Sequence, residues 1–469
     1  MTRIQWSLVA HTNVGKTTLA RTLLRRDVGQ VLDHAHVTEE GERHVLLETG
    51  EDELILWDTP GFGDSARLAR RLAGEGGSSI ARFLGQAWDR VADRPLWCSQ
   101  EALRNVREEA DVVLYLVNAA EHPEDAGYLK HELTILQWLE RPVLCLLNQT
   151  GGEQTSRATE ADPRQRWLEA WREELAGWSC VGGVLELDAF TRSWREEQQL
   201  FSEVTRLLHG EQHEAMERLG AAWKERGEST YRASLEAMAS HLLNLASDAE
   251  PLTSRLAGRA EKQRAVEALS ERAAASEREL WERLIELHGL EGRASVELRR
   301  ELSDCLVHGQ DELDERRNAL VGGAISGALG GLTADAMSGG LSFGGGLLAG
   351  GLLGALGGAG LTRGIRLLRR GEQPAVTWSH ERLDLAIRDC CVTYASVAHF
   401  GRGRGRLETE SRPQVWNERV EELWTAAEQG HARPWDLAAR QSEEAWAQRD
   451  VKSKLRALML ELCEPLLAR

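Results

Sequence analysis

Residues 10–18 read AHTNVGKTT, and no other stretch of the chain limits the fold as strongly. An apolar run, WSLVA, leads into it, and helix-forming residues follow. A Gly-Lys-Thr turn between a strand and a helix lets backbone N–H groups, a lysine and a helix N-terminus face one anion together. Asn13, Val14, Gly15, Lys16, Thr17 and Thr18 are therefore candidate phosphate-loop residues, with Lys16 on phosphate and the Thr17 hydroxyl on magnesium. Ala10 stands where the usual G-x-x-x-x-G-K-[ST] pattern has its first glycine. Alanine is acceptable there provided its φ stays negative.

The rest of the N-terminal half agrees with such a loop. From about Ile4 to Leu208, short apolar runs alternate with helical stretches, which predicts a mostly parallel sheet with helices on both faces. The expected strands are WSLVA, RHVLLE, ELILWD, DVVLYLVNA, RPVLCLLN and GVLELDAF, with an insertion of about two helices from Gly63 to Ala110. The third strand ends in WDTPGFGD. There Asp58 is placed to hold magnesium, and the Gly61 N–H to meet a terminal phosphate. Thr38, in DHAHVTEEGE, is the candidate hydroxyl that completes the magnesium shell. Lys16, Thr38 and Gly61 are thus the residues expected nearest the chemistry, and Thr17, Thr38 and Asp58 the metal set. His34, His36 and His44 share or border the Thr38 loop without a repeated ligand spacing, so a polar loop accounts for them better than a metal site.

Composition limits the rest. At 469 residues the chain is expected to hold about two to four domains. Its formal net charge of -17 argues against a protein that works mainly by non-specific attraction to nucleic acid or anionic lipid. The seven cysteines are scattered and contain no C-x-x-C spacing, so neither a disulfide framework nor a zinc site is expected, and a reducing cytoplasm fits. The opening MTRIQWSLVA runs straight into strand without a charged-then-apolar leader, so no secretory signal is expected.

After a first domain at 1–210, three further regions are expected: a long amphipathic helical region at 211–318, a glycine-rich apolar hairpin at 319–362, and a helical C-terminal region at 363–469. In the second, Leu280, Leu284 and Leu287 fall at helical spacing. In the third, Gly323, Gly327 and Gly331, then Gly346, Gly350, Gly354 and Gly358, recur every fourth residue, which puts each set on one helical face, as in a glycine zipper. The two segments would be about 24 Å and 33 Å long as helices, against a hydrocarbon core of about 30 Å. Arg316 and Arg317 before the pair, and Arg363, Arg366, Arg369 and Arg370 after it, favour a re-entrant hairpin on the cytoplasmic face. Burial of the pair within the surrounding helices accounts for the same pattern, and Asp335 at the bend fits both readings. The GRGRGR tract at 401–406 is read as a solvated basic loop, and Cys390 and Cys391 as core.

HTNVGKT, DTPGFGD and the strand order resemble the TrmE and Era branch of translation-factor-type GTPases over about the first 210 residues. With SIARFLGQ, RPVL and the glycine hairpin added, the chain is similar over nearly its whole length to a bacterial GTPase family with a C-terminal helical domain of unknown function. The resemblance implies GTP as ligand, Mg2+ as cofactor and a base-reading N-K-x-D motif after the fifth strand. Here that strand ends LLNQTGG. Asn148 is kept, but Gln149 replaces the lysine and Gly151 the aspartate that pairs with guanine, so base selectivity is weakened or comes from elsewhere. Ala189, in LDAF, falls where the family's base-capping loop would lie. Phe62 stands where Ras-like proteins carry the water-orienting glutamine, and a phenyl ring cannot hydrogen-bond a nucleophile. Slow turnover follows, helped by a partner, a second copy of the chain or a cation. Asn13 matches the asparagine of potassium-activated relatives, which implies K+; a loop asparagine satisfying its own backbone is an equal reading.

The function expected is a GTP-binding, slowly hydrolysing switch that couples nucleotide state to a helical domain at the cytoplasmic membrane face or to a protein partner, including a second copy. The alternatives are a soluble Era-like GTPase acting on RNA or the ribosome, and a nucleotide-binding scaffold that does not hydrolyse. Nucleic acid is not expected as the main partner, since no basic RNA-binding domain is evident.

Overall fold

The computed structural model describes residues 1–26, 41–72, 93–149, 163–189, 192–290, 365–370, 373–400, 412–428, 435 and 445–467. Thr38, Gly151, the glycine hairpin, Asp335 and the GRGRGR tract lie outside the described residues, as do His34, His36 and SIARFLGQ. The chain divides into two compact units, Met1–Glu228 with His399–Leu407, and Ser229–Ala398 with Glu408–Arg469.

In the first unit, six strands appear where apolar runs predict them. They are β1 (Thr2–Ala10), β2 (Glu42–Glu48), β3 (Asp52–Asp58), β4 (Val112–Asn118), β5 (Val143–Asn148) and β6 (Val181–Glu186). Their order is β2-β3-β1-β4-β5-β6. All neighbours are parallel except β2, which runs antiparallel on the edge beside β3.

Alternation along the strands divides the apolar side chains between two cores. Val113, Tyr115 and Val117 join one cluster with Phe62, Leu133 and Leu136. Val112, Leu114 and Leu116 join the other with Leu8, Leu19 and Phe201. A strand buried on both faces is the pattern of a parallel sheet covered by helices on each side. Helix α1 (Lys16–Leu24) follows β1, and α2 (Ser65–Leu72) and α3 (Arg94–Glu108) fall within the expected insertion. Helices α4 (Leu129–Trp138), α5 (Pro163–Ala176) and α6 (Trp194–Leu207) supply the remaining connections.

Because the strands are parallel, β1, β3, β4 and β5 all end on one edge. Leu8 pairs with Asp58, Ala10 with Leu116, and Asn118 with Asn148. Strand β1 is flanked by β3 on one side and β4 on the other, the kind of switch point at which open α/β sheets receive ligands.

The second unit is mostly helical, as expected. It contains the second half of α7 (Gly210–Ser247), from Ser229 on, then α8 (Arg259–Leu287), α9 (His380–Ala398), α10 (Arg412–Glu428) and α11 (Ala445–Cys463). Leu280 and Leu284 are buried on α8, and Cys390 and Cys391 on α9. The Sγ of Cys391 lies 3.8 Å from that of Cys463, both as free thiols.

One feature departs from the helical expectation. Strands β7 (Ala249–Pro251), β8 (Ile365–Arg370) and β9 (Gln373–Trp378) form an antiparallel sheet in the order β7-β9-β8. The segment after Arg363 therefore returns as strand before it returns as helix. Val376, Thr377 and Trp378 are β-branched or aromatic residues that suit a half-buried pleat, and Val376 packs with Leu252, Val266 and Leu269. No helix among the described residues is long and apolar enough to cross a membrane.

Candidate functional site

The loop after β1 is built on two left-handed backbone positions. Asn13 has φ 67° and Gly15 has φ 102°. Glycine is required at the second, where a Cβ would also meet Asn148 Nδ2 at 2.8 Å. Ala10 closes β1 in ordinary strand geometry, fully buried, and its carbonyl accepts the Phe62 N–H at 3.0 Å. The missing first glycine therefore costs this loop no left-handed turn.

Lys16 opens α1 and is buried at 9% exposure. Burial pulls its ammonium below the ordinary lysine range, while Asp58 and Glu132 hold it up. Gly61 lies directly against it. A Cβ on Gly61 would come within 3.0 Å of Lys16 Nζ and 3.1 Å of the Thr12 backbone, so only glycine leaves the lysine head its room.

The Thr17 hydroxyl donates to Asp58 Oδ2 at 2.6 Å, while Asp58 Oδ1 is buried with no hydrogen-bond partner. Burial pushes the Asp58 carboxyl up to about 6, against the pull of the Thr17 hydroxyl and the Lys16 charge. A buried carboxylate oxygen without a donor is costly. Beside a threonine hydroxyl, it is the donor set a hard, oxygen-seeking cation takes. These residues fit magnesium.

Asn148 ends β5 and is fully buried. Its Nδ2 donates to the Val14 carbonyl at 2.6 Å and its Oδ1 accepts the Ala189 N–H at 2.8 Å. The Ala189 carbonyl in turn accepts the Thr22 hydroxyl at 2.9 Å. One side chain thus ties the phosphate loop to the segment after β6. Thr18 is buried within α1. Asn13, Val14, Gly15, Lys16, Thr17, Thr18, Asp58, Gly61, Asn148 and Ala189 all lie at one end of the sheet, whereas Thr38 lies outside the described residues.

Phe62 is fully buried in the apolar cluster with Val9 and Leu68, and its segment forms an isolated parallel bridge with His11. Its phenyl ring is core.

Sequence reasoning missed the groups behind the loop. His11 Nδ1 lies 2.7 Å from Oε1 of Glu132, a fully buried residue of α4, and Tyr115 Oη donates to Oε2 at 2.8 Å. The His11 ring stacks on Tyr128 with centroids 4.5 Å apart. Burial pushes the Glu132 carboxyl up, and His11 first among its partners pulls it back. Glu132 falls among Leu129, Leu133 and Leu136 on the inward face of α4, and a carboxylate on an apolar helix face was the available signal.

A six-stranded, mostly parallel sheet with a lysine-bearing loop after β1 and a carboxylate at the end of β3 defines a P-loop GTPase domain, and residues 5–149 match the family described as 50S ribosome-binding GTPase. Residues 181–463 match Domain of unknown function DUF3482, and the chain, more than half of it covered by that match, belongs to this family.

Among solved structures, the chain is similar to Era in complex with MgGDPNP and nucleotides 1506–1542 of 16S ribosomal RNA, at 19% identity and TM-score 0.32, over 45% of this chain and 59% of that one. It is also similar to Aquifex aeolicus Era bound to GDP.AlF4-, at 18% identity and TM-score 0.31, over 45% and 58%. Toc33 from Arabidopsis thaliana with GDP and Mg2+ aligns at 11% identity and TM-score 0.28, over 40% and 72%. The match thus spans less than two thirds of either Era chain. No curated protein matches the sequence.

Proposed function

We propose that the chain binds GTP with magnesium at the end of β1 and hydrolyses it slowly, as a switch whose nucleotide state is passed to the helical second half. The observation that carries this reading is the trio at the loop: Lys16 Nζ pressed against Gly61, the Thr17 hydroxyl on Asp58, and the orphan Asp58 Oδ1.

Lys16 would bind the outer phosphates, and the N–H groups of Asn13 to Thr18 would cradle the inner ones. Thr17 and Asp58, with Thr38 as the switch hydroxyl, would hold magnesium; when bound, that ion supplies charge neutralisation between the phosphates. The Gly61 N–H would meet the γ-phosphate, so the segment from Asp58 to Phe62 senses its presence. Slow turnover follows from a core-bound Phe62, with K+ at Asn13 as the monovalent aid. Gly151 replaces the guanine-pairing aspartate, and Asn148 bonds Val14 and Ala189. Gln149, Ala189 and their neighbours would have to read the base.

The test is binding of fluorescent GTP and ATP analogues with magnesium to the full chain and to Lys16→Ala. GTP-selective binding lost in the variant is expected. Equal binding of both nucleotides, or none, ends the GTPase-switch reading. Faster turnover in KCl than in NaCl would carry the potassium assignment.

A second reading, action on the large ribosomal subunit, is favoured by the description of the family matched at residues 5–149. Nucleotide-dependent co-sedimentation with 50S particles, weakening steeply with salt, would support it. Flotation with liposomes tests the membrane-facing alternative suggested by the glycine-rich 319–362.

A further inference from the structure

At the far end of α1, about 14 Å from Lys16 at the rise of a helix, lies a second concentration of charge that the nucleotide reading does not use. Arg25 follows the helix with a left-handed backbone, φ 56°, and is 9% exposed. Its guanidinium carbon lies 5.6 Å from the ring centroid of Trp223, and that of Arg226 lies 5.7 Å from the same ring. Arg192, 5% exposed, completes the group.

Among the described residues, Glu197 is the carboxylate that opposes their charge. Glu197 Oε1 accepts Arg192 Nε at 2.6 Å, and Glu197 Oε2 accepts Trp223 Nε1 at 3.1 Å. Both oxygens are therefore engaged before Arg25 or Arg226 is reached. Arg25 Nε is buried and has no acceptor.

Guanidinium groups do not shed their charge in proteins, so among the described residues the cluster sets three positive charges against the one negative charge of Glu197. The strain shows in the ionisation of its members. Burial pulls Arg25 well down, and Arg192 and Arg226 add to that, with Glu197 the opposing anion. Arg226 is lowered by burial and by Arg192, with Glu197 again in opposition. Uncompensated buried charge is destabilising, and an anion of matching charge removes the cost.

We propose that Arg25, Arg192 and Arg226 form an oxyanion site, separate from the phosphate loop, that takes a phosphoryl group of inorganic phosphate or of a phosphomonoester. The excess of two positive charges matches the charge of a phosphoryl group near neutral pH, about −1.5 to −2. The planar forks of arginine suit phosphate oxygens better than a point-charge ammonium does. Arg226 is exposed and leaves the cluster open to solvent, while the buried Arg25 and Arg192 make it more than a surface patch.

The test uses the full chain carrying Lys16→Ala, so that the phosphate loop does not contribute, with thermal unfolding followed at matched ionic strength. Inorganic phosphate is expected to raise Tm where chloride does not. Adding Arg226→Met, an exposed position tolerant of change, should weaken the apparent phosphate affinity tenfold or more. Arg25→Met should abolish the effect while leaving Tm in phosphate-free buffer unchanged or higher, since it removes an unpaired buried cation. Glycerol 3-phosphate separates the sources. If it binds as well as phosphate, the site takes a phosphomonoester on a larger molecule; if it does not, the free anion is the ligand. A Tm indifferent to both probes, or a phosphate effect of wild-type size in Arg226→Met, overturns the proposal.

Discussion

The sheet edge of the first unit and the helix packing around His241 in the second hold buried ionisable groups in different ways. At the end of β1, Lys16 and Asp58 are both buried, and Asp58 keeps an oxygen without a donor. Between α7 and α8 in the second unit, His241 is also buried, but its Nδ1 lies 2.8 Å from the Ser276 hydroxyl, and burial pulls the imidazole down to about 4, where it is neutral. On α9, the Asp384 carboxylate accepts the Trp435 indole N–H at 2.7 Å. At His241 and Asp384 the buried group is satisfied within the second unit, whereas at the sheet edge of the first Asp58 Oδ1 is left for a ligand. Stability and binding are thus served at different places, and substitutions should divide accordingly.

The largest effect is expected at Lys16. Lys16→Ala should weaken GTP-analogue affinity at least about 100-fold, a loss of a charged hydrogen-bonding contact of about 3 kcal/mol or more, with the unfolding temperature unchanged. A parallel loss of fold would show that Lys16 is structural, and the contrast between the units would fail.

Next comes Gly15→Ala. The left-handed φ and the 2.8 Å approach of Asn148 Nδ2 should together destabilise by about 2 kcal/mol or more, read as a fall in the denaturant midpoint. Binding should fall with it, because Asn148 must yield its bond to the Val14 carbonyl.

Asp58→Asn sharpens the comparison through pH. The folded carboxyl titrates at about 6, above its ordinary 3.8, so the folded state holds the proton more tightly. Its favourable contribution is complete below about 3.8 and is lost as pH rises through 6. In chelator, the wild type should therefore lose stability between pH 4.5 and 7 relative to Asp58→Asn. Magnesium with nucleotide should cancel the difference in the wild type and do little for the variant.

On nucleotide binding the smallest effect is expected in the second unit, where the pH dependence of stability has the opposite sign. His241 titrates at about 4 when folded against an ordinary 6.5, so its contribution is present above 6.5 and is lost as pH falls toward 4. His241→Gln should flatten that loss, on the order of 3 kcal/mol at the acid end, with no change in nucleotide binding at neutral pH. An effect on nucleotide affinity would break the separation of roles.

Part of this arrangement was legible beforehand. The Gly-Lys-Thr turn, the strand-ending Asp58 and the apolar runs each depend on neighbours within a few residues, and all six strands of the first sheet appear where the runs place them. Asn148 was legible as a site residue by resemblance, but its two bonds were not, because Val14 and Ala189 stand far from it along the chain. The sheet in the second unit escaped notice because β7 has three residues and pairs with a strand more than a hundred positions away.

By itself, then, the sequence determined where the chain turns toward an anion and which strands carry it there, since strand periodicity, glycine φ and helix N-termini are local properties. Only the tertiary structure decided which of the remaining ionisable groups meet: His11 with Glu132, and three arginines around Glu197. Charge pairing in the interior depends on distances set by the crossover order of the sheet, and no local pattern encodes that order.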